Sequence, residues 1–394
     1  MPPAASLLPK ALIAIFCLAI FYQLTTFTSV SHFAAPVPTS LGDNNEQTWF
    51  QDAAEKPGAK DDEDNSPTGT STTGALSDTS YKEIHISYGP TQCMPHFSPE
   101  LKKLAAQRKD SCTKYAPFPA IETRRVAFAS ITTGKPEEAY QRAILSQMFH
   151  SAVHDSPIHV LCEQLTDGTF NKIAFLLNLL MKEMLKPESQ RTEWFMWIDR
   201  DAIVLDACRP ISMFLPPATE EYSKVNIIQN HDAFGLNNGI FLFRVNHWTI
   251  AFMNTILAFP YYRPEVELVQ AEQTAQQEIS MEDKWREGVV QVPWYWFNAF
   301  PDEKDSVRKY EEGLEPDDLE WFRARKGDFV VHFAGDHGRG ERMLEWLDMQ
   351  DRLGNVWEQG NVKRDITAEI EKFWRSWKDN SLTDVQITGE PQRS

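Results

Sequence analysis

The chain has 394 residues, a net charge of −17, and 42% apolar residues that include twelve Trp and 24 Phe. That is enough for one large domain, or two small ones plus extensions, around a substantial core. The acidic balance argues against a nucleic-acid binder, which would carry a basic stripe.

Residues 1–10 are short, with Lys10 the single charge, and no charged residue occurs after it until Asp43. Within that gap the apolar run Ala11–Phe27 is long enough to span a bilayer. It is long for the core of a signal peptide, and the only small-residue cleavage site, Ser31 to Ala35, is weak. It reads as an uncleaved signal anchor over residues 11–30, with a cleaved signal peptide as the competing reading. Lys10 on the short side makes 1–10 a cytosolic tail and puts the rest in a lumen. Residues 31 to about 80 are rich in Pro, Ser, Thr, Gly, Asp and Glu, and bury too little apolar surface to offset the entropy of ordering. The stem is drawn over residues 31–120, although 81–120 regain aromatics that can pack on the domain C-terminal to them.

Five cysteines, at 17, 93, 112, 162 and 208, form no CxxC and no zinc-finger spacing. Cys93 and Cys112 flank a short polar helix-like stretch and form the expected disulfide pair in an oxidising compartment. Cys162, in a predicted strand, reads as a buried thiol.

From Arg124 the pattern becomes regular. Val126–Ile131 reads as a strand, Glu137–Val153 as a helix, Ile158–Cys162 as a strand and Phe170–Leu185 as a strongly periodic helix. Next comes Trp194-Phe195-Met196-Trp197-Ile198-Asp199-Arg200-Asp201, a buried apolar strand ending in two acids. The order β-α-β-α-β predicts an α/β fold with a mostly parallel sheet of the nucleotide-binding, Rossmann-like kind. Further strands are predicted at Val225–Gln229, Ile240–Arg244, Val289–Pro293 and Phe329–Phe333, and closing helices at Glu341–Leu353 and Ile366–Trp377. The folded domain is drawn over 121–378 and a C-terminal tail over 379–394.

Strand alternation would place Asp199 and Asp201 on one face at the strand's carboxyl end, where open α/β sheets bind ligands. Two carboxylates there suit a hard divalent cation, and the same alternation turns Arg200 away. Asp-x-Asp alone is a weak motif; Asp62-Glu63-Asp64 in the stem is a second match with no assigned role. His332 ends an apolar strand before a turn carrying Gly335, Gly338 and Gly340, whose backbone N–H groups can approach phosphate, with His337 and Arg339 adding positive charge. A histidine so placed is also an ordinary core residue. Asn237-Asn238-Gly239 suits a turn, and equally a sugar site, since amides both donate and accept. Glu272-Gln273 opens a helix, where the dipole favours an acid, and can also face a sugar.

These pieces, in this order, resemble one family. Trp197–Val204, Gly235–Arg244 with Trp248, Glu272–Ala275, Val292-Pro293 with Trp296–Ala299, and Gly327–Gly335 look like the fungal galactosyl/mannosyltransferase family, glycosyltransferase family 34, which also holds plant xyloglucan xylosyltransferases. The resemblance implies a GT-A fold and retaining transfer of a hexose from a nucleotide sugar, UDP-galactose or GDP-mannose, with Mn²⁺. It implies Asp199, Asp201 and His332 as metal ligands and Glu272 and Gln273 at the reaction centre. It matches Asn237, Asn238 and Gly239 to the donor-sugar segment and Lys172 to a Lys before the Asp-x-Asp strand; with Gly335, His337 and Arg339 of the phosphate-facing turn these are the expected donor-binding residues. Three positions depart from the family's pattern: Arg200 between the acids, Glu272 for an Asp, and His337 for a Lys. With the anchor and stem, the resemblance implies a single-pass type II Golgi membrane protein acting on a mannose-rich glycan. It also admits a complex with other Golgi glycosyltransferases, in which this chain is either an enzyme or a catalytically silent subunit.

Overall fold

In the central strands, β2 (Val126–Ile131), β3 (Ile158–Leu161) and β4 (Trp194–Ile198), nearly every side chain is buried. Such continuous apolar runs belong to sheets covered on both faces. The structure, a computed structural model, describes residues 84–89, 93–118, 124–166, 168–336 and 338–391. The chain divides into two units, Met1–Thr72 and Thr73–Ser394, and all described residues lie in the second. The expected cytosolic tail, anchor and most of the stem lie outside them. Among the described residues no helix is long and apolar enough to cross a membrane.

The main sheet has seven strands in the order β1 (His85–Tyr88), β3, β2, β4, β7 (Gly235–Arg244), β6 (Ile227–Asp232) and β8 (Val289–Gln291). The expected parallel core is present: β3 pairs parallel with β2, and β2 with β4. Beyond β4 the direction alternates. The long β7 runs antiparallel to both β4 and β6, and β8 lies parallel to β6. A separate antiparallel pair joins β5 (Ala202–Val204) to β9 (Val330–His332), with Ala202 opposite His332.

Alternation along each strand sorts the core onto the two faces. Phe195, Trp197, Phe241 and Phe243 share one cluster with helices α3 (Asn171–Met184), α4 (His247–Tyr262) and α5 (Glu272–Met281). Trp194, Met196, Ile198 and Leu242 share another with α2 (Glu138–His154) and with Ile370 and Trp374 of α7 (Thr367–Lys378). A third cluster packs Ile203 and Val331 against Met343 and Trp346 of α6 (Arg339–Leu353).

Three expectations are corrected. Residues drawn as stem belong to the fold: β1 (His85–Tyr88) pairs with β3, and α1 (Pro99–Tyr115), capped by Ser98 through Leu101 N, packs on α2. The stretch through Asp199 and Asp201 is not one strand but two, β4 and β5, separated by a turn in which Ala202 N donates to Asp199 O at 3.2 Å. Cys93 pairs with Cys162, and Cys112 with Cys208. The register explains the first pair, because Tyr88 lies opposite Leu161, so the chain leaving β1 runs beside the end of β3. Helix α1 carries Cys112 away from Cys93, across to Cys208.

Candidate active site

The turn between β4 and β5 is held from three sides. Asp199 N donates to Gly239 O (2.9 Å), and Phe333 N donates to Asp201 O (3.0 Å). The Gln147 amide of α2 reaches Asp199 O at 3.4 Å and Ala202 O at 3.3 Å. Breaking the strand turns both carboxylates toward β9. The Asp199, Asp201 and His332 side chains each place a ligand atom within 4.8 Å of the others, and His332 Nε2 lies 3.3 Å from Asp201 Oδ1. The Arg200 guanidinium turns the other way, 4.2 Å from the Tyr140 ring centroid and donating to Thr133 O.

A chain of amides fixes the imidazole. A backbone carbonyl only accepts, so Asn230 Nδ2–H donates to Ile240 O (3.5 Å). Asn230 Oδ1 then accepts from Asn298 Nδ2 (2.8 Å), and Asn298 Oδ1 accepts from His332 Nδ1–H (2.6 Å). This direction leaves the Nε2 lone pair aimed at the carboxylates, the tautomer a metal-ligating histidine requires. The approach needs a glycine: a Cβ on Gly239 would lie 2.3 Å from His332 Cε1.

Lys172, buried on α3, ties the acidic end to the rest. Its Nζ lies 3.4 Å from Asp199 Oδ1, 3.3 Å from Glu272 Oε1, and 3.0 Å from both the backbone and side-chain oxygens of Asn238. Burial opposes its charge, but the two carboxylates overcome this and raise its pKa. Burial also raises Asp199, against the pull of Lys172 and with help from Asp201. In Asp201 burial acts the same way, but His332 when its ring is protonated, together with Arg339, overcomes it and holds the carboxyl well below the usual range. Trp197 Nε1 donates to Asp199 Oδ1 at 2.6 Å. Gln273 Oε1 accepts from Asn238 N, and Asn237 Oδ1 accepts from Gly239 N, both at 3.0 Å.

One cleft of about 720 Å³ is lined by Lys172, Asp199, Asp201, Asn237, Asn238, Gly239, Glu272, Gln273, His332 and Gly335. Ten of the twelve residues predicted from sequence therefore meet there. Arg339 lies at the start of α6 and pairs with Asp201; this contact was not foreseen, since it was expected to face phosphate. His337 lies outside the described residues. Sequence reasoning gave no role to Asn230 or Asn298. Asn298 stands inside one of the motifs that carried the resemblance, which was its only signal, and Asn230 had none.

The donor set is chemically suited to a divalent ion. Two carboxylates and one imidazole nitrogen suit a hard or borderline divalent cation and not a metal that prefers thiolates, and the amide chain orients the nitrogen.

No curated protein matches the chain. A solved glycosyltransferase involved in the glycosylation of the major capsid of PBCV-1 is similar, at 16% identity and a TM-score of 0.41, over 56% of this chain and 98% of that one. The model of the galactosyl transferase GMA12/MNN10 family matches residues 214–341. That span contains Asn237–Gly239, Glu272, Gln273, Asn298 and His332, with Asp199 and Asp201 just upstream. Over residues 214–341 the chain is thus similar to the galactosyl transferase GMA12/MNN10 family.

Proposed function

We propose that this chain is a metal-dependent retaining hexosyltransferase of GT-A type, anchored in the Golgi membrane with its catalytic domain in the lumen. It would transfer galactose or mannose from UDP-galactose or GDP-mannose to a mannose-rich glycan. The observation that carries this reading is the convergence of Asp199, Asp201 and His332 within 4.8 Å at one end of a cleft walled by Asn237–Gly239 and Glu272-Gln273.

In this reading Asp199, Asp201 and His332 Nε2 hold Mn²⁺. When bound, the ion supplies positive charge to the diphosphate as it leaves. The chain's own work is orientation. Lys172 locks Asn238 against Asp199 and Glu272, so the wall of the sugar pocket and the carboxylates move as one body. Such fixed dipoles cost no reorganisation when charge develops. Glu272 is engaged by Lys172, which disfavours it as a covalent nucleophile. Transfer is therefore front-face, with a diphosphate oxygen of the leaving group taking the acceptor hydroxyl proton. A glycosyl adduct trapped on Glu272 would refute this.

The pairing of Arg339 with Asp201 favours a second reading, in which a cation takes the metal's place and the chain is a silent subunit of a Golgi glycosyltransferase complex. Calorimetry of the full chain with Mn²⁺ and a panel of nucleotide sugars separates the two. The enzyme reading expects Mn²⁺-dependent binding of one donor and its slow hydrolysis, both lost in Asp201→Ala. Absence of metal-dependent nucleotide binding supports the silent subunit.

A further inference from the structure

The cleft continues past the carboxylates to a rim that none of the chemistry above uses. On one side is the tip of the β6–β7 hairpin, where Asp232 lies opposite Gly235 and the loop is only Ala233-Phe234. Phe234 is 83% exposed. On the other side is the turn before α5, where Ala271 N donates to Leu268 O (3.0 Å) and Val269 is 80% exposed. Phe234, Leu268, Val269 and Gln270 all line the cleft that holds Asp199 and His332. A large aromatic at the tip of a two-residue hairpin forgoes the burial that normally stabilises such a side chain, and exposed apolar groups rimmed by polar ones mark ligand grooves.

Both sides are stiff and tied to one helix. Asp232 accepts from Phe234 N (2.7 Å) and from the Asn237 amide (2.9 Å). Gln277 of α5 accepts from Leu236 N (2.8 Å), and a Cβ on Gly235 would lie 2.5 Å from that Gln277 oxygen. On the opposite turn Ala271 holds φ +51°, a costly conformation for a residue with a side chain, and Gln270 is bonded to Gln273 and Thr274. A rim already ordered loses little entropy on binding.

We propose that Phe234 and the Leu268–Gln270 turn form an acceptor subsite that grips a pyranose of the glycan beyond the sugar that reacts. The inference rests on reading the cleft as a glycosyl-transfer site. A pyranose offers a C–H face to an aromatic ring and edge hydroxyls to polar groups, here the Asp232 carboxylate, which accepts, and the Gln270 amide, which donates and accepts. Gly235 is four residues along β7 from Gly239, about 14 Å at the antiparallel rise. That is too far for the sugar attached to a diphosphate held at Asp199 and His332, and it suits a later ring of an acceptor chain. The subsite therefore favours oligosaccharide over monosaccharide acceptors.

The test is a titration of the full chain, in detergent, with an α-linked mannotriose and with methyl α-mannoside. Phe234→Ala is expected to weaken mannotriose binding about tenfold, and to weaken methyl α-mannoside binding far less. Phe234→Trp should retain mannotriose affinity, and Tyr261→Ala, at an exposed site outside the cleft, should match wild type. Equal mannotriose affinity in Phe234→Ala and wild type overturns the proposal. So does a loss confined to nucleotide-sugar binding, which would make Phe234 a donor wall. If wild type binds no nucleotide sugar with Mn²⁺ yet mannotriose binding depends on Phe234, the transferase reading fails and the subsite stands.

Discussion

The hydrogen-bond chain behind His332 starts at Ile240 O, which has no proton to give, and each amide after it inherits its direction. Asn298 is therefore a positioning residue: it decides which imidazole nitrogen carries the proton, without touching the carboxylates. Replacing such partners costs about 10–100-fold in metal affinity. Asn298→Ala is expected to lose that much Mn²⁺ affinity by calorimetry, at a temperature where circular dichroism shows it folded. Wild-type affinity in that variant would show that His332 holds its tautomer without Asn298. At this scale the sequence was informative about residue types and weak on their partners. Asp199 and Asp201 could be named because charged groups beside an apolar run are conspicuous, and Lys172 only through the family resemblance. Asn230 and Asn298 are neutral amides in buried segments, and their roles exist only once β6, β9 and the segment after β8 meet. Arg200 does turn away from the carboxylates, but the expected cause was strand alternation and the actual cause is the 199–202 turn.

Among elements, β7 does the most to assemble the site. It runs antiparallel between β4 and β6, brings Gly239 O to Asp199 N, and carries Asn237 and Asn238 into the cleft. The local pattern from β2 to β4 was legible because apolar strands alternate there with helices of clear 3.6-residue period. The reversal at β7 was not legible, because pairing direction depends on a neighbour some forty residues away in sequence. β1 was missed for a different reason: His85-Ile86-Ser87-Tyr88 is four residues of mixed polarity at a sheet edge, with no run or alternation to read. The disulfides were missed through the same gap, since Cys93 reaches Cys162 only because β1 lies on β3. The tight approach of β7 to β9 gives a sharp expectation. In Gly239→Ala the new methyl would sit 2.3 Å from His332 Cε1, so strand or ring must shift. Overpacking of this kind costs about 1–3 kcal/mol. The variant should melt lower and also bind Mn²⁺ more weakly, because the ring that moves is the proposed ligand. A lower melting point with unaltered Mn²⁺ affinity would mean that the strand yields and the ring does not.

At the scale of the whole molecule, three buried histidines couple stability to pH. His150 and His154 on α2 share hydrogen bonds with Arg209 O and Ala207 O, both at 2.9 Å, and His159 on β3 shares one with Tyr88 Oη at 2.8 Å. They pin the β1–β3 edge and the segment after β5, where Cys162 and Cys208 also anchor. Burial is the main cause that lowers all three: His154 to about 4, His159 to about 3, and His150 well below its ordinary value of 6.5. In the unfolded chain each would protonate near 6.5. Below that pH the unfolded state binds more protons than the folded one, and stability falls with acid. It is complete above about 6.5 and is lost progressively toward pH 3–4. The limiting slope is about 1.4 kcal/mol per pH unit for each site. Asp328 acts in the opposite sense. Its carboxyl is buried and raised to about 6, so acidification relieves a cost it imposes on the folded state. Asp199 and Asp206, which burial also raises, act with it. His85 and His231, lowered by burial, act with the three histidines. Five histidines against three carboxylates leave a net loss. The urea midpoint of the full chain is expected to fall clearly between pH 7 and pH 5. His154→Gln removes one titrating site and keeps a donor for Ala207 O, and should flatten that dependence. A midpoint constant across this range, or one as steep in His154→Gln as in wild type, would show that these histidines do not set the acid limit of the fold.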